Sequence, residues 1–127
     1  MVKYEKLNNN PKGRKTGDCV IRATASATGQ TWVEALLEQT DIAVKTGYMV
    51  ACKENFEKYL SAHGFIKMKQ PRKADGTKYE VGEIDKVCKD PVIVVSMANH
   101  LTVIKDNRLE DLWDCRHKCV GNYWVKR

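Results

Sequence analysis

The chain has no uninterrupted apolar run near the roughly 18 residues that a membrane-spanning helix requires. Its amino end, Met1-Val2-Lys3-Tyr4-Glu5-Lys6, lacks the apolar core of a secretory signal. No internal repeat and no low-complexity stretch interrupts it, so a single compact unit is expected. An even cysteine set is also missing. The five cysteines, Cys19, Cys52, Cys88, Cys115 and Cys119, are odd in number and irregular in spacing, which argues against a secreted disulfide framework. Together these absences predict one cytosolic domain over residues 1–127, complete as it stands, with reduced thiols and no membrane partner.

What is present fits a soluble globular domain: 127 residues, 43% hydrophobic and 30% charged, long enough to bury a core without staples. The net charge of +6 is unevenly spread. Residues 1–22 carry six Lys/Arg against two acids, 67–78 five against one and 116–127 four against none. Residues 79–115 reverse this, with eight acids against four bases. Basic patches attract nucleic acid, but no nucleic-acid motif accompanies these, so a solvated surface is the expected role and nucleic acid is not an expected partner.

The polar opening 8–17, Asn-Asn-Asn-Pro-Lys-Gly-Arg-Lys-Thr-Gly, reads as a loop. Asp18 is placed to cap a helix beginning at Cys19, rich in small residues (Ala23, Ala25, Ser26, Ala27) and closed by Gly29. Trp32, Val33, Leu36 and Leu37 at helical spacing predict a second helix to about residue 40. Met49, Cys52, Phe56, Tyr59, Leu60 and His63 predict a third over about 50–63, with Gly64 at its left-handed end. The period then changes. Strands are expected at 65–68, 92–95, 101–104, 109–113 and 120–125, with a short helix over 81–88 and a hairpin at Asp106-Asn107. Helices first and an antiparallel sheet of about four strands afterwards is an α+β layout.

A cysteine in the first turn of a helix is favoured as thiolate by the helix dipole and unpaired N–H groups, which can also hold an oxyanion. The competing reading of Cys19 is a small core residue. His100 opens a strand, and Asp114 follows fourteen residues later across one hairpin. An Asp there would hold the second ring nitrogen and favour the imidazolium. A two-residue turn at Asp106-Asn107 would instead set Trp113 opposite His100, and only a longer turn or bulge restores Asp114, so Asp111 and Asn99 stand in reserve.

The Gly17-Asp18-Cys19-Val20 helix start, the Asn99-His100-Leu101-Thr102-Val103 strand and the downstream Trp113-Asp114 resemble papain-like cysteine peptidases. The likeness extends to their compact bacteriocin-processing branch and to small phage and prophage proteins. The resemblance implies a central helix bearing the nucleophile, packed on an antiparallel sheet bearing the histidine and its orienter. It assigns Cys19 as nucleophile, His100 as base and Asp114 as orienter, acting without a cofactor on a peptide, isopeptide or related acyl bond. The family's glutamine six residues before the nucleophile is Gly13 here, which leaves Asn10, Asn9 and Thr16 as candidate oxyanion or substrate-binding groups. If none of them serves, the alternative is an inactive papain-like binding module, such as a phage protein blocking a host factor. A third reading makes the cysteine and histidine structural in a basic nucleic-acid-associated protein. Cys115, His117 and Cys119 alternate, and with Cys52 or Cys88 would bind zinc from one strand face, but a lone C-x-H-x-C is weaker than paired knuckles and no metal is expected.

Overall fold

A computed structural model describes residues 1–127. The chain runs β1 (Lys3–Lys6), α1 (Cys19–Thr28), α2 (Trp32–Thr46), α3 (Lys53–Ala62) and β2 (Phe65–Met68). A 3₁₀ helix (Val81–Lys86) follows, then β3 (Val92–Met97), β4 (His100–Lys105), β5 (Arg108–Asp111) and β6 (Tyr123–Lys126). The fold is α+β, with a six-stranded sheet ordered β1-β5-β4-β3-β6-β2. No helix is long and apolar enough to cross a membrane.

The small-residue stretch does form α1 over the expected residues, and Gly29 closes it at φ 76°, a left-handed position that glycine adopts freely. Thr31 and Glu34 form a reciprocal capping box at the start of α2, which satisfies two orphan N–H groups. That helix continues past residue 40 to Thr46. Helix α3 starts later than expected, at Lys53, and Met49 stays exposed.

Alternation along the central strands buries both faces of the sheet. Val94, Leu101, Val103 and Trp124 meet Val20, Ile21 and Phe56 on the helical side. Ile93, Val95, Ile104 and Val125 meet Val2, Val81, Ile84 and Val120 on the other. A sheet covered on both sides needs apolar residues at successive positions, which is why Val92-Ile93-Val94-Val95 reads as a continuous run.

The expected all-antiparallel sheet of about four strands is incomplete. Strand β1 adds a parallel edge, pairing Lys3 with Arg108 through Lys6 with Asp111. Its sequence is polar, as an exposed edge strand permits, and so carries no apolar alternation. Strand β5 stops at Asp111, short of the expected 113, and β6 begins at Tyr123 where 120 was expected; between them residues 112–122 form turns and loop, with only an isolated bridge from Cys119 to Glu80.

Asp106 and Asn107 make a two-residue turn, at φ 51° and 62°, between β4 and β5. Two successive left-handed residues match the twist of the flanking strands, and Asp and Asn tolerate that region better than branched residues do. Replacing Asn107 by Val is expected to lower stability by about 1–2 kcal/mol. Asn107→Gly should be neutral or stabilising, with both effects read as shifts of the urea midpoint at unchanged slope. Equal midpoints for the Val and Gly variants would count against a strained turn.

Candidate active site

Cys19 is the first residue of α1, half-buried, and Asp18 occupies the cap position before it. The expected capping bond is not made: Asp18 has φ −110° and ψ 21°, and its side chain turns away from the helix N–H groups. Its Oδ1 accepts from Arg22 Nε at 2.8 Å. Its Oδ2 accepts from Trp32 Nε1 at 2.9 Å and Asn10 Nδ2 at 3.2 Å. The backbone N–H groups of Cys19 and Val20 consequently donate to no acceptor within the chain. Burial pushes the Asp18 carboxyl upward, but the bonds from Arg22, Asn10 and Trp32 outweigh it and hold the group below the usual range.

His100 opens β4 after the tight Ala98-Asn99 connection, where Asn99 sits at φ 56° and Met97 pairs with His100. Its Nε2 lies 2.7 Å from Asp111 Oδ2. The register explains the choice of acid. Lys105 pairs with Arg108, Ile104 with Leu109 and Val103 with Glu110. One step further, Thr102 faces Asp111 and its hydroxyl donates to Asp111 Oδ2 at 2.7 Å. His100 and Thr102 alternate to the same side of β4, so Asp111 lies diagonal to His100 and within its reach.

Asp114, the acid expected beside His100, makes no bond to it. It lies past the end of β5, where Arg116 forks onto it with Nε 2.8 Å from Oδ1 and Nη2 2.7 Å from Oδ2. The two-residue turn carries Trp113 to the neighbourhood of His100 instead, with ring centroids 5.2 Å apart.

The Cys19 thiol and the His100 ring line the same cleft, near enough for each to shift the other's ionisation, and no direct hydrogen bond joins them. With Nε2 committed to a carboxylate, Nδ1 is the nitrogen left for Cys19. Burial would depress the His100 pKa, but Asp111, Cys115 and Cys19 together raise it to about 11. For Cys19, burial pushes the thiol up. The His100 ring, the Leu101 backbone N–H and the Arg22 charge more than reverse this, so it lies below the ordinary thiol value. Asp111, despite its burial, is likewise held low by His100, Thr102 and the Leu112 N–H.

Both faces of this arrangement meet at Arg22, one helical turn after Asp18. While Nε holds Asp18, Nη1 lies 3.1 Å from Asp111 Oδ1, and all three side chains are buried. Strand β1 fixes Asp111 from the far side: Leu7 N–H donates to its carbonyl at 3.0 Å and Tyr4 Oη does so at 3.2 Å.

A cleft of about 540 Å³ opens over Cys19 and His100, floored by Val20, Phe56, Leu101 and Trp124. Neither Asn10 nor Thr16 lines it. The Asn10 amide donates to Asp18 and its Oδ1 accepts from the Lys12 N–H, so the side chain expected to serve an oxyanion is turned away from the cleft. Thr16 is exposed in the loop, and its carbonyl accepts from the Asp18 N–H. Asn9, too, is turned to the backbone, donating to the Arg22 carbonyl at 3.0 Å. Asn99, exposed beside His100, is the side-chain amide at the cleft next to the histidine.

No protein-family model matches the chain, and no curated protein or solved structure is significantly similar to it. Cys115, His117 and Cys119 do not converge: Cys115 is buried against Asp111, with Sγ 3.8 Å from Oδ2, whereas His117 and Cys119 are exposed. Arg22, Trp32, Thr102 and Cys115 are the site's unanticipated members. The Asp18/Arg22 spacing of four on a helix is a readable ion-pair signal, while Trp32 reads from its periodicity only as core.

Arg22→Met leaves Asp18 and Asp111 buried without their shared cation and should cost about 3–5 kcal/mol at pH 7. Both carboxyls are held low in the folded state, so their contribution is present above the unfolded values near 4 and is lost as pH falls through the folded ones. The deficit of the variant should therefore shrink in urea unfolding at pH values below 4. A deficit independent of pH would reject the ion-pair account.

Proposed function

We propose that the protein is a papain-like cysteine hydrolase, cleaving a peptide, isopeptide or related acyl bond. The observation that carries this reading is the meeting of Cys19 and His100 at one largely apolar cleft, with Asp111 bonded to His100 Nε2 behind it and the cysteine at a helix start whose N–H groups are free. In this reading the Cys19 thiolate attacks the acyl carbon, forming a thioester. The His100 imidazolium gives its Nδ1 proton to the leaving amine, then takes a proton from the water that releases the acyl group. Asp111 holds Nε2–H and stabilises the imidazolium, the role that the sequence pattern assigns to Asp114. The Cys19 and Val20 N–H groups are the donors available to the oxyanion.

A binding module of the same fold is favoured by one observation. The side-chain amide that papain-like peptidases place near the oxyanion is replaced by Gly13, and Asn10 is engaged elsewhere. Losing one such donor slows acyl transfer by about 10²–10³-fold, so turnover is expected to be slow, and complete absence of turnover favours the binding module.

Reactivity tests the ion pair. Because the Cys19 thiol lies below and His100 well above its ordinary value, the thiolate–imidazolium pair occupies the window between them. Iodoacetamide should label Cys19 faster than exposed Cys119 at pH 7, with the rate falling as pH drops through the lowered Cys19 value. In His100→Ala the profile should move up toward the ordinary thiol value of 9.0. Equal rates for all five thiols, unchanged in His100→Ala, would refute the pair.

Turnover distinguishes the orienter. On a fluorogenic peptide and isopeptide library, Cys19→Ala should abolish product release. Asp111→Asn should slow it by up to about 10⁴-fold, since an amide cannot stabilise the imidazolium as a carboxylate does. Asp114→Asn should stay within a few-fold of the parent chain. The reverse ranking of the two Asn variants would remove Asp111 from the mechanism.

A further inference from the structure

Cys115 has no part in the proposed acyl chemistry, yet it is fully buried beside His100 and Asp111. His100 through a ring nitrogen, Asp111 through a carboxylate oxygen and Cys115 through Sγ offer three donor atoms that all lie within 4.8 Å of one another, and Oδ2 of Asp111 is near both Nε2 of His100 and the sulfur. We propose that these three side chains form a reversible binding site for Zn²⁺ that switches the hydrolase off. The inhibitory consequence rests on the cysteine-hydrolase reading; the binding does not.

The donor set is one imidazole nitrogen, one carboxylate oxygen and one thiolate sulfur, each from a residue type that zinc accepts, leaving the fourth tetrahedral position to water. Bond lengths of about 2.0–2.3 Å to such donors imply donor separations of roughly 3.3–3.7 Å around the ion. The separations present are 2.7 Å for Nε2 to Oδ2 and 3.8 Å for Sγ to Oδ2. Spreading the imidazole from the carboxylate by about an ångström admits the ion, and His100 lines the open cleft through which it would enter.

The surroundings already orient the carboxylate. Thr102 Oγ1 donates to Oδ2 at 2.7 Å, while Oδ1 is held by the Leu112 N–H at 2.6 Å and Arg22 Nη1 at 3.1 Å. Such outer partners fix ligand geometry at metal centres. The Arg22 charge lies on the oxygen that does not ligate, but still opposes a cation nearby. That cost suits an ion that binds and leaves over one that builds the fold.

Binding is balanced by two protons, one from Nε2 of the imidazolium and one from the Cys115 thiol, both released to solvent. The Nδ1 proton stays toward Cys19. Zinc on Nε2 displaces the Asp111 hydrogen bond, so the carboxylate no longer steadies an imidazolium and the ring cannot accept a second proton. The alternating Cys115-His117-Cys119 pattern is the wrong grouping for this ion; Cys115 belongs instead with residues from β4 and β5.

The test uses the full reduced chain as Cys19→Ala, which removes the nucleophile as a competing ligand. Zn²⁺ is titrated against a chromophoric chelator, and Co²⁺ is added separately to look for cobalt–thiolate charge-transfer absorption. One equivalent of zinc and a cobalt–thiolate band are expected. Adding Cys115→Ser should abolish the band and weaken zinc by more than the roughly 10–100-fold that loss of an outer-shell partner costs, whereas Cys119→Ser should change neither. His100→Gln, read the same way, covers the case in which Cys115→Ser does not fold, and circular dichroism establishes which variants are folded. In the parent chain zinc should slow iodoacetamide labelling of Cys19, an effect absent in Cys115→Ala. No stoichiometric binding, or binding and a thiolate band that survive in folded Cys115→Ser or His100→Gln, overturns the site. Binding that follows these residues in a chain without turnover upholds the site and refutes only the hydrolase reading.

Discussion

The arrangement of the site depends on one buried guanidinium. Arg22 stands on the helix that begins with Cys19, and its two arms reach Asp18 just before that helix and Asp111 on the sheet. A buried ion network of this kind contributes little net stability compared with apolar residues of the same volume, because desolvation consumes most of the attraction. What it supplies is position. Apolar packing between α1 and the sheet tolerates small slides and rotations, whereas a planar fork between two carboxylates does not. The guanidinium thus fixes the start of α1, and with it Cys19, relative to the strand that carries the partner of His100.

The second constraint is covalent connectivity at a turn. A β4–β5 loop of two residues makes Thr102 and Asp111 opposite neighbours and leaves His100 diagonal to the acid. A loop one residue longer would bring a different side chain to the same place. Strand β1 then pins the Asp111 backbone from the sheet's other side through Leu7 and Tyr4. The edge strand with the least apolar sequence therefore helps hold the acid at the centre of the site.

This division explains what could be read from the residues alone. Helix α1, its end at Gly29, the α+β order, the central strands and the Asp106-Asn107 turn all rest on local signals: small residues, left-handed glycine, continuous apolar runs and paired turn formers. Cys19 and His100 were legible because their placement at element starts is local too. The acid that bonds His100 was not, since choosing between Asp111 and Asp114 requires both the turn length and the knowledge that Arg116 takes Asp114. Strand β1 was invisible because Lys3-Tyr4-Glu5-Lys6 pairs through its backbone at an exposed edge, where side-chain hydrophobicity is not required. The placement of Asn10 was hidden for a related reason: a polar loop residue near Cys19 has several possible acceptors, and the buried Asp18 carboxylate outcompetes solvent for its amide.

The unused cap at Asp18 has a consequence for charge. A carboxylate bonded to the first turn of α1 would occupy the N–H groups beside the sulfur and oppose the thiolate. Turned onto Arg22, the same carboxylate is neutralised and the N–H groups are left free. The buried charges of Asp18, Arg22 and Asp111 then alternate in sign, and the half-buried His100 and Cys19 continue their row. Moving a proton from the thiol to the imidazole does not alter the net charge of that row; it only lengthens the alternation by one cation and one anion. Creating two isolated ions in a protein interior costs several kcal/mol each, but extending an existing alternating row places each new charge beside its opposite. The low thiol and high imidazole values follow from that placement, and the row holds together because Arg22 joins its helical and sheet halves.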